Sequence, residues 1–444
     1  MRGLMLTIAL LLMASPSDGW GEGRTPRVPP RINRDRANAP ASNSDTSPSA
    51  VNSGAGQALL SKIPRFSIGP DVQLGDKRLS YLDTQIWQDN GLMCWQSGND
   101  NTIWMCQLDP QTGDLIPPDG RGTKIAVGAP FTGNVLLDVL FGIGVHGTSN
   151  AAEWGFSQQG LGLYFTIEDE NGVYQQAKCL LKNAPNLQVE QLTFGGTIDR
   201  LGNIPSTDAN DPKVRLGYYE INQWRLTPPP DAFWQHDDPG AVKKRVPLDV
   251  FPPNGPRWIP GEHALLTYLY DADGTVQVAS FNVDTDKSTF LTRAPGNHVD
   301  ARILLDPDTG KQRYLVCLED NHALAIYERV LKFWVKCRLI YPPPNAIADG
   351  APDYRISQMK YFFYDGVLYI VYTVQSQFRP IPLCIASADG ITNRLLTLAP
   401  WPLYHVDPEV YVGASNVFIY YEDALPFPAT VRRSQIRRIT LTFK

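Results

Sequence analysis

The chain has 444 residues, with 19% charged and 10% aromatic side chains and a formal net charge of −5. That length accommodates one large domain or two medium ones. Slight acidity without a long run of Lys and Arg argues against nucleic acid as a partner, since phosphate binding needs a concentrated basic face.

Residues 1–19, "MRGLMLTIALLLMASPSDG", open with Arg2, continue as an apolar run over 4–14 and end in small residues. This is the layout of a secretory signal peptide, and the run is too short to span a bilayer. No later window is apolar enough for a membrane span. The expectation is a secreted protein, extracellular or periplasmic. Residues 20–60 are rich in Pro, Ser, Asn, Ala and Arg and lack an apolar period, the composition of a disordered tether.

From residue 61 to residue 444 short apolar or alternating segments follow one another between Gly, Asp, Asn and Pro punctuation, which predicts strand after strand. Six first strands stand out. They are "DTQIWQD" from Asp83, "NAAEWGFS" from Asn150, "NGPRWIPG" from Asn254, "HVDARILLD" from His298, "RISQMKYFF" from Arg355 and "HVDPEVYVG" from His405. Each precedes a strongly apolar strand, such as "LGLYFTIE" from Leu161 or "VLYIVYTVQ" from Val367, and then further strands. Four-stranded units recurring at roughly 45–65 residues predict an all-β protein, a β-propeller. Six blades is the expected count, with five or seven as alternatives. The uncertainty comes from residues 197–253, which read as an insertion, either a degenerate blade or a loop over one face. The last unit reaches Lys444 after three strands, so "PRFSIGPDVQL" (residues 64–74) is expected to supply the fourth by pairing with "VRRSQIRRI" and to close the ring.

Six cysteines in an exported chain can pair. Centring the hairpin "GLMCWQSGNDNTIWMCQLD" on Asp100 puts Cys94 opposite Cys106, so a disulfide there is one expectation and two buried thiols the other. No C-x-x-C occurs and the six histidines are dispersed, so neither a metal nor another cofactor is expected. The acidic turns at Asp271 and Asp273 and at Asp306 and Asp308 read as hairpin turns rather than calcium loops.

First strands line the channel of a propeller. Aligning them on Trp87, Trp154, Trp258, Ile303, Met359 and Val410 makes the preceding column Ile86, Glu153, Arg257, Arg302, Gln358 and Glu409. Strand alternation points that column away from the aligned core residues. Asp300 and Asp407 lie two residues before its members Arg302 and Glu409. Such a column is either a structural ring of ion pairs plugging the channel or a pocket of convergent acids and arginines. His298 and His405 each precede an Asp by two residues. They read as blade-to-blade hydrogen bonds or as groups that transfer a proton or orient a substrate. His146, in the glycine-rich "GIGVHGTSN", lies on a loop that could reach the same mouth. Tyr218, Tyr219, Trp224 and Trp234, in the presumed insertion, either stack on a ligand or pack the insertion onto the ring.

The stretch "HVDPEVYVGASNVFIYYED" is similar to blade openings in the propeller-fold glycoside hydrolases that act on arabinan, xylan and fructan. The resemblance implies an Asp early in a first strand as base or nucleophile and a Glu from another blade as acid. Asp300 and Asp407 match the first role, and Glu153 or Glu409 the second. Arg257, Arg302, Gln358, His298, His405 and His146 would then bind substrate, a carbohydrate or other small polar ligand. The alternative is a non-catalytic secreted propeller that binds a ligand or a protein through one face.

Overall fold

The computed structural model describes residues 66–444 except 130–151, 158, 185, 197–198, 207–214, 222–230, 251–255, 348–353, 377–380, 400–402 and 425–433. The expected signal and tether, His146 and Trp224 lie outside the described residues.

Seven antiparallel sheets follow one another, each built from consecutive strands. Blade 1 begins with Tyr81–Trp87 and Leu92–Ser97, and its third strand, Thr102–Leu108, carries both Leu115–Ile116 and Thr123–Val127 on its outer side. Blade 2 is Glu153–Ser157, Gly160–Glu168, Tyr174–Leu180 and Val189–Gln191. Blade 3 is Asp199–Pro205, Arg215–Ile221, Asp231–His236 and Lys244–Val246. Blade 4 is Arg257–Trp258, Ala264–Tyr270, Val276–Asn282 and Lys287–Phe290. Blade 5 is His298–Leu305, Gln312–Glu319, Ala323–Val330 and Phe333–Ile340. Blade 6 is Arg355–Tyr364, Val367–Gln375, Leu383–Ser387 and Asn393–Leu395. Blade 7 is Tyr404–Val412, Val417–Ala424 and Ser434–Phe443, completed by Phe66–Ile68 and Val72–Gln73.

The molecule is therefore a seven-bladed β-propeller. The stretch expected as an insertion is blade 3, the degenerate-blade alternative. Closure by the early strand holds: Phe66 pairs with Phe443 and Val72 with Arg438.

Alternation along the second strands builds the seams of the ring. In blade 7, Phe418 and Tyr420 face blade 1, while Val417, Ile419 and Tyr421 face blade 6. In blade 2, Leu163 and Phe165 face blade 1 and Tyr164 faces blade 3. A separate or shared apolar cluster fills every one of the seven seams. Full burial of each such side chain stabilises the ring by roughly 1.5–3 kcal/mol.

The same alternation overturns the expected disulfide. The hairpin pairs Cys94 with Met105 and Met93 with Cys106, one residue away from the register centred on Asp100. A one-residue slip sends side chains to opposite faces. Cys94 packs toward blade 2 and Cys106 toward blade 7, and all six cysteines are free thiols. The acidic turns are turns: Asp271 Oδ1 accepts from the amides of Asp273 and Thr275, and Asp306 Oδ1 from those of Asp308 and Thr309.

Candidate functional site

The inner strands of five blades carry the same irregularity. Pairing slips by one residue after Leu82, Leu201, Val299, Ser357 and Val406. The residue that follows sits at positive φ: Asp83 at 50°, Gly202 at 75°, Asp300 at 53°, Gln358 at 51° and Asp407 at 49°. These are β-bulges, in which an extra residue bends the strand and re-aims its side chains. Asp and Gly suit the left-handed conformation; Gln does so less readily. This accounts for the aspartate of the repeated His-Val-Asp phrase.

The bulge also corrects the column of channel residues. Two residues past it stand Gln85, Ile204, Arg302, Lys360 and Glu409, in register with Cys94, Gly217, Val316, Val371 and Tyr420 of the second strands. Glu153 and Arg257 take the same position in blades 2 and 4, opposite Tyr164 and Leu266. Ile86 and Gln358 do not belong to the column. Gln358 is the bulge residue of blade 6, and its Oε1 accepts from the Asp407 amide at 3.0 Å, tying blade 6 to blade 7. In blades 2 and 4 a tryptophan supplies a tie to the preceding blade. Trp154 Nε1 donates to the Gln85 carbonyl at 3.0 Å, and Trp258 Nε1 to the Ile204 carbonyl at 2.9 Å.

Contacts between non-adjacent blades show that these side chains point at the axis. Arg257 of blade 4 lies 3.6 Å from Glu153 of blade 2, and Lys360 of blade 6 lies 3.3 Å from Gln85 of blade 1. Lys360 also forms an ion pair with Glu409. Glu153, Arg257 and Lys360 keep 22%, 17% and 24% of their side-chain surface accessible. Arg302 likewise keeps accessible surface, although it lies deep enough for desolvation to disfavour its charge. Groups that are deep in a protein yet reached by solvent line a channel.

Acids collect on one side. Asp83, Asp407, Glu409 and Glu422 are all buried. Asp83 and Asp407 lie close enough for the charge on Asp407 to act on Asp83, and the Oδ2 atom of each is buried without a hydrogen-bond partner. Burial raises Asp407 to about 6 against the pull of Lys360, and raises Asp83 with repulsion from Asp407 adding to it. Glu409 rises to about 8, again through burial first, with Lys360 opposing. Glu422 is raised by burial and by Asp407; its Oε2 accepts from Ser434 Oγ at 2.9 Å. Neither Asp83 nor Glu422 was singled out by the sequence. The signal for Asp83 was present, because "YLDTQ" repeats the form of "HVDAR" and "HVDPE".

The opposite side is basic and phenolic. Arg257 and Arg302 occupy neighbouring blades at one strand position. Asp300 is buried, and Tyr219, Tyr268 and Tyr361 all feel its charge. Tyr268 Oη accepts from the Ala301 amide at 2.8 Å. Asp300 and Asp407, equivalent in sequence, thus sit among different neighbours.

The histidines lie within the blade structure. His298 stands opposite Glu319 in register, with Nε2 3.1 Å from Glu319 Oε2 and 2.9 Å from Tyr327 Oη; Lys336 completes the group. His405 stands opposite Asp423, and its Nδ1 lies 2.6 Å from Thr397 Oγ1. Burial lowers both, His405 to about 4. The His298 hydrogen bonds stay inside blade 5, whereas the His405 bond to Thr397, itself bonded to Leu383 of blade 6, runs between blades as one of the two readings expected, though not to an Asp. Tyr218, Tyr219 and Trp234 are buried in blade 3, so of their two readings packing holds.

No family model matches the chain, and no curated relative does. Among solved structures it is similar to an oligogalacturonate lyase in complex with manganese, at 11% identity and a TM-score of 0.48 over 86% of this chain and 96% of that one. It is also similar to the catalytic domain of a Coprinopsis cinerea GH62 α-L-arabinofuranosidase, at 10% identity and 0.32 over 66% and 91%. The WD40 domain of SCAP from fission yeast matches at 9% identity and 0.39 over 89% and 90%. These neighbours include enzymes and a WD40 domain, and at such distances they carry no argument about activity.

Proposed function

We propose that the chain is an exported propeller that holds a carbohydrate at its axis and hydrolyses a glycosidic bond there. Glu409 is the proton donor and Glu153 the facing carboxylate. The observation that carries this reading is a pair of unlike carboxyls on one solvent-reached channel. Glu409 is held near 8 by burial, while Glu153 lies against Arg257. Glycosidases need one protonated and one ionised carboxyl flanking the bond. Asp407 suits the base role less well because burial raises it to about 6, and Asp300 because it lies among tyrosines. Planar polar side chains such as Gln85 and the arginines are suited to binding sugar hydroxyls.

A second reading, a non-catalytic binding module, is favoured by one specific observation: both channel glutamates already have cationic partners, Arg257 and Lys360. A glycan panel separates the two. On the hydrolase reading the wild type releases reducing sugar from at least one glycan. Glu409→Gln keeps the fold and loses roughly 10²–10⁴-fold in kcat, the usual contribution of general acid catalysis. Ligand binding by calorimetry without turnover of any glycan leaves the binding-module reading. Export rests on residues 1–19, and the intact mass of protein recovered outside the cytoplasm should correspond to a chain starting near residue 20.

A further inference from the structure

Arg302 is the channel cation that forms no ion pair among the described residues, although Glu153 and Asp300 lie near enough to favour its charge. Arg257 faces Glu153 and Lys360 holds Glu409, but among the described residues no carboxylate lies within ion-pair distance of the Arg302 guanidinium. Its neighbour at the same position of the adjacent blade is Arg257, whose Nε is buried and has no hydrogen-bond partner. Two guanidiniums side by side at depth repel each other, and Arg257 does disfavour the charge on Arg302. Such a pair is costly in the empty protein and is relieved by an anion.

Arginine is the side chain whose planar fork matches a carboxylate with two parallel hydrogen bonds, so the paired guanidiniums favour that kind of anion. Tyr361 stands close enough to Arg302 to feel its charge, and its hydroxyl lies on the Met359 sulfur at 3.5 Å, a weak partner that a better acceptor would displace.

We propose that Arg257 and Arg302 form a subsite for the carboxylate of an acidic sugar, a uronate bound at the axis. This rests on the carbohydrate reading above and names its substrate class. The neutral groups of the ring then face the acid side, where Glu409 and Glu153 stand, and the carboxylate fixes which way round the sugar enters.

The test is calorimetry on the full chain at neutral pH. The probes are D-galacturonate and D-glucuronate, their neutral parents galactose and glucose, and inorganic sulfate. At least one uronate should bind tenfold or more tighter than its parent and than sulfate. Arg302→Gln should weaken uronate binding more than parent binding and so remove that advantage. Arg302→Lys, which keeps the charge and loses the fork, should recover part of it. A thermal melt of each variant establishes that the ring is intact. Uronate and parent binding alike, no uronate binding, sulfate matching the uronate, or Arg302→Gln leaving uronate affinity unchanged would each overturn the proposal. Its failure is separable from that of the hydrolase reading. Uronate binding without turnover of any glycan sinks only the hydrolase; turnover of neutral glycans with no preference for acidic ones sinks only the subsite.

Discussion

Two halves of one ring carry the same motif and opposite chemistry. On blades 7, 1 and 2 the axial and bulge positions hold Asp407, Glu409, Asp83 and Glu153, with Glu422 behind them. On blades 4 and 5 they hold Arg257, Asp300 and Arg302, with tyrosines behind. His-Val-Asp opens both blade 5 and blade 7, and in both the Asp makes the bulge. What the Asp can do depends on the adjacent blade. Asp407 meets another carboxyl, Asp83, and its charge disfavours ionisation there; Asp300 meets phenols and guanidiniums. Repetition therefore sets the geometry, and the residues at matching positions of neighbouring blades set the electrostatics.

Lys360 is the cation that makes the acid half tolerable, so its removal should break the comparison most severely. Lys360→Met leaves Glu409 buried without a partner beside Asp407. The expected loss is about 3 kcal/mol by chemical denaturation at pH 8, since breaking a buried pair leaves an uncompensated charge. The loss should shrink at pH 5, where the carboxyls take up protons. A variant equally destabilised at both pH values would mean that Lys360 acts by packing alone.

The halves should also differ in their response to pH. Glu409 is raised from 4.5 to about 8, so the folded protein holds a proton that the unfolded chain has released. Its contribution to stability is full below pH 4.5 and is lost as pH rises toward 8. His405, lowered from 6.5 to about 4, works the other way: its contribution is full above pH 6.5 and is lost as pH falls toward 4. Between pH 6.5 and 8 the acid half acts without that opposition. The melting temperature of the wild type should fall across this window, and Glu409→Gln should flatten the slope. An unchanged slope in the variant would put the charge elsewhere.

The smallest expected effect concerns blades 2 and 4. Trp154→Phe and Trp258→Phe each remove one indole hydrogen bond to the preceding blade and leave most of the packing. Each should cost about 1–2 kcal/mol in denaturant melts. A cost near zero for both would show that the bulges, and not the tryptophans, hold the inner ring together.

The repeat and the closing strand were legible because they depend on period and edge chemistry, which sequence displays directly. Apolar second strands such as Val367–Gln375 read correctly as buried on both faces. The seventh blade was obscured by its prolines and by its second strand, Arg215–Ile221, which puts Gly217 where the other blades carry larger residues. The polar column was legible in outline. Glu153, Arg257, Arg302 and Glu409 stand in it, whereas Ile86 should have been Gln85 and Gln358 should have been Lys360. The errors differ: anchoring on Trp87 runs one residue late, and anchoring on Met359 runs two residues early because Gln358, an unusual residue for the left-handed region, hides the bulge of blade 6. The disulfide also failed by one residue, in a hairpin. Asp83 and Glu422 became visible as functional candidates only when folding brought blades 7 and 1 together.

That junction bears on the timing of synthesis. Arg437 binds Asp71 across 366 residues, so the strand made first must wait for nearly the last residues before its own sheet exists. The entropy of closing so long a loop grows only with its logarithm, and the thermodynamic cost is modest. The delay is the larger effect, since pairings this distant in sequence form slowly. Until the ribosome releases the final strand, six blades can stack while the Asp83 carboxyl waits at an open seam for Asp407. The acidic half of the ring is thus assembled after the basic half, and it depends on the strand Ser434–Phe443, which carries the Ser434 partner of Glu422.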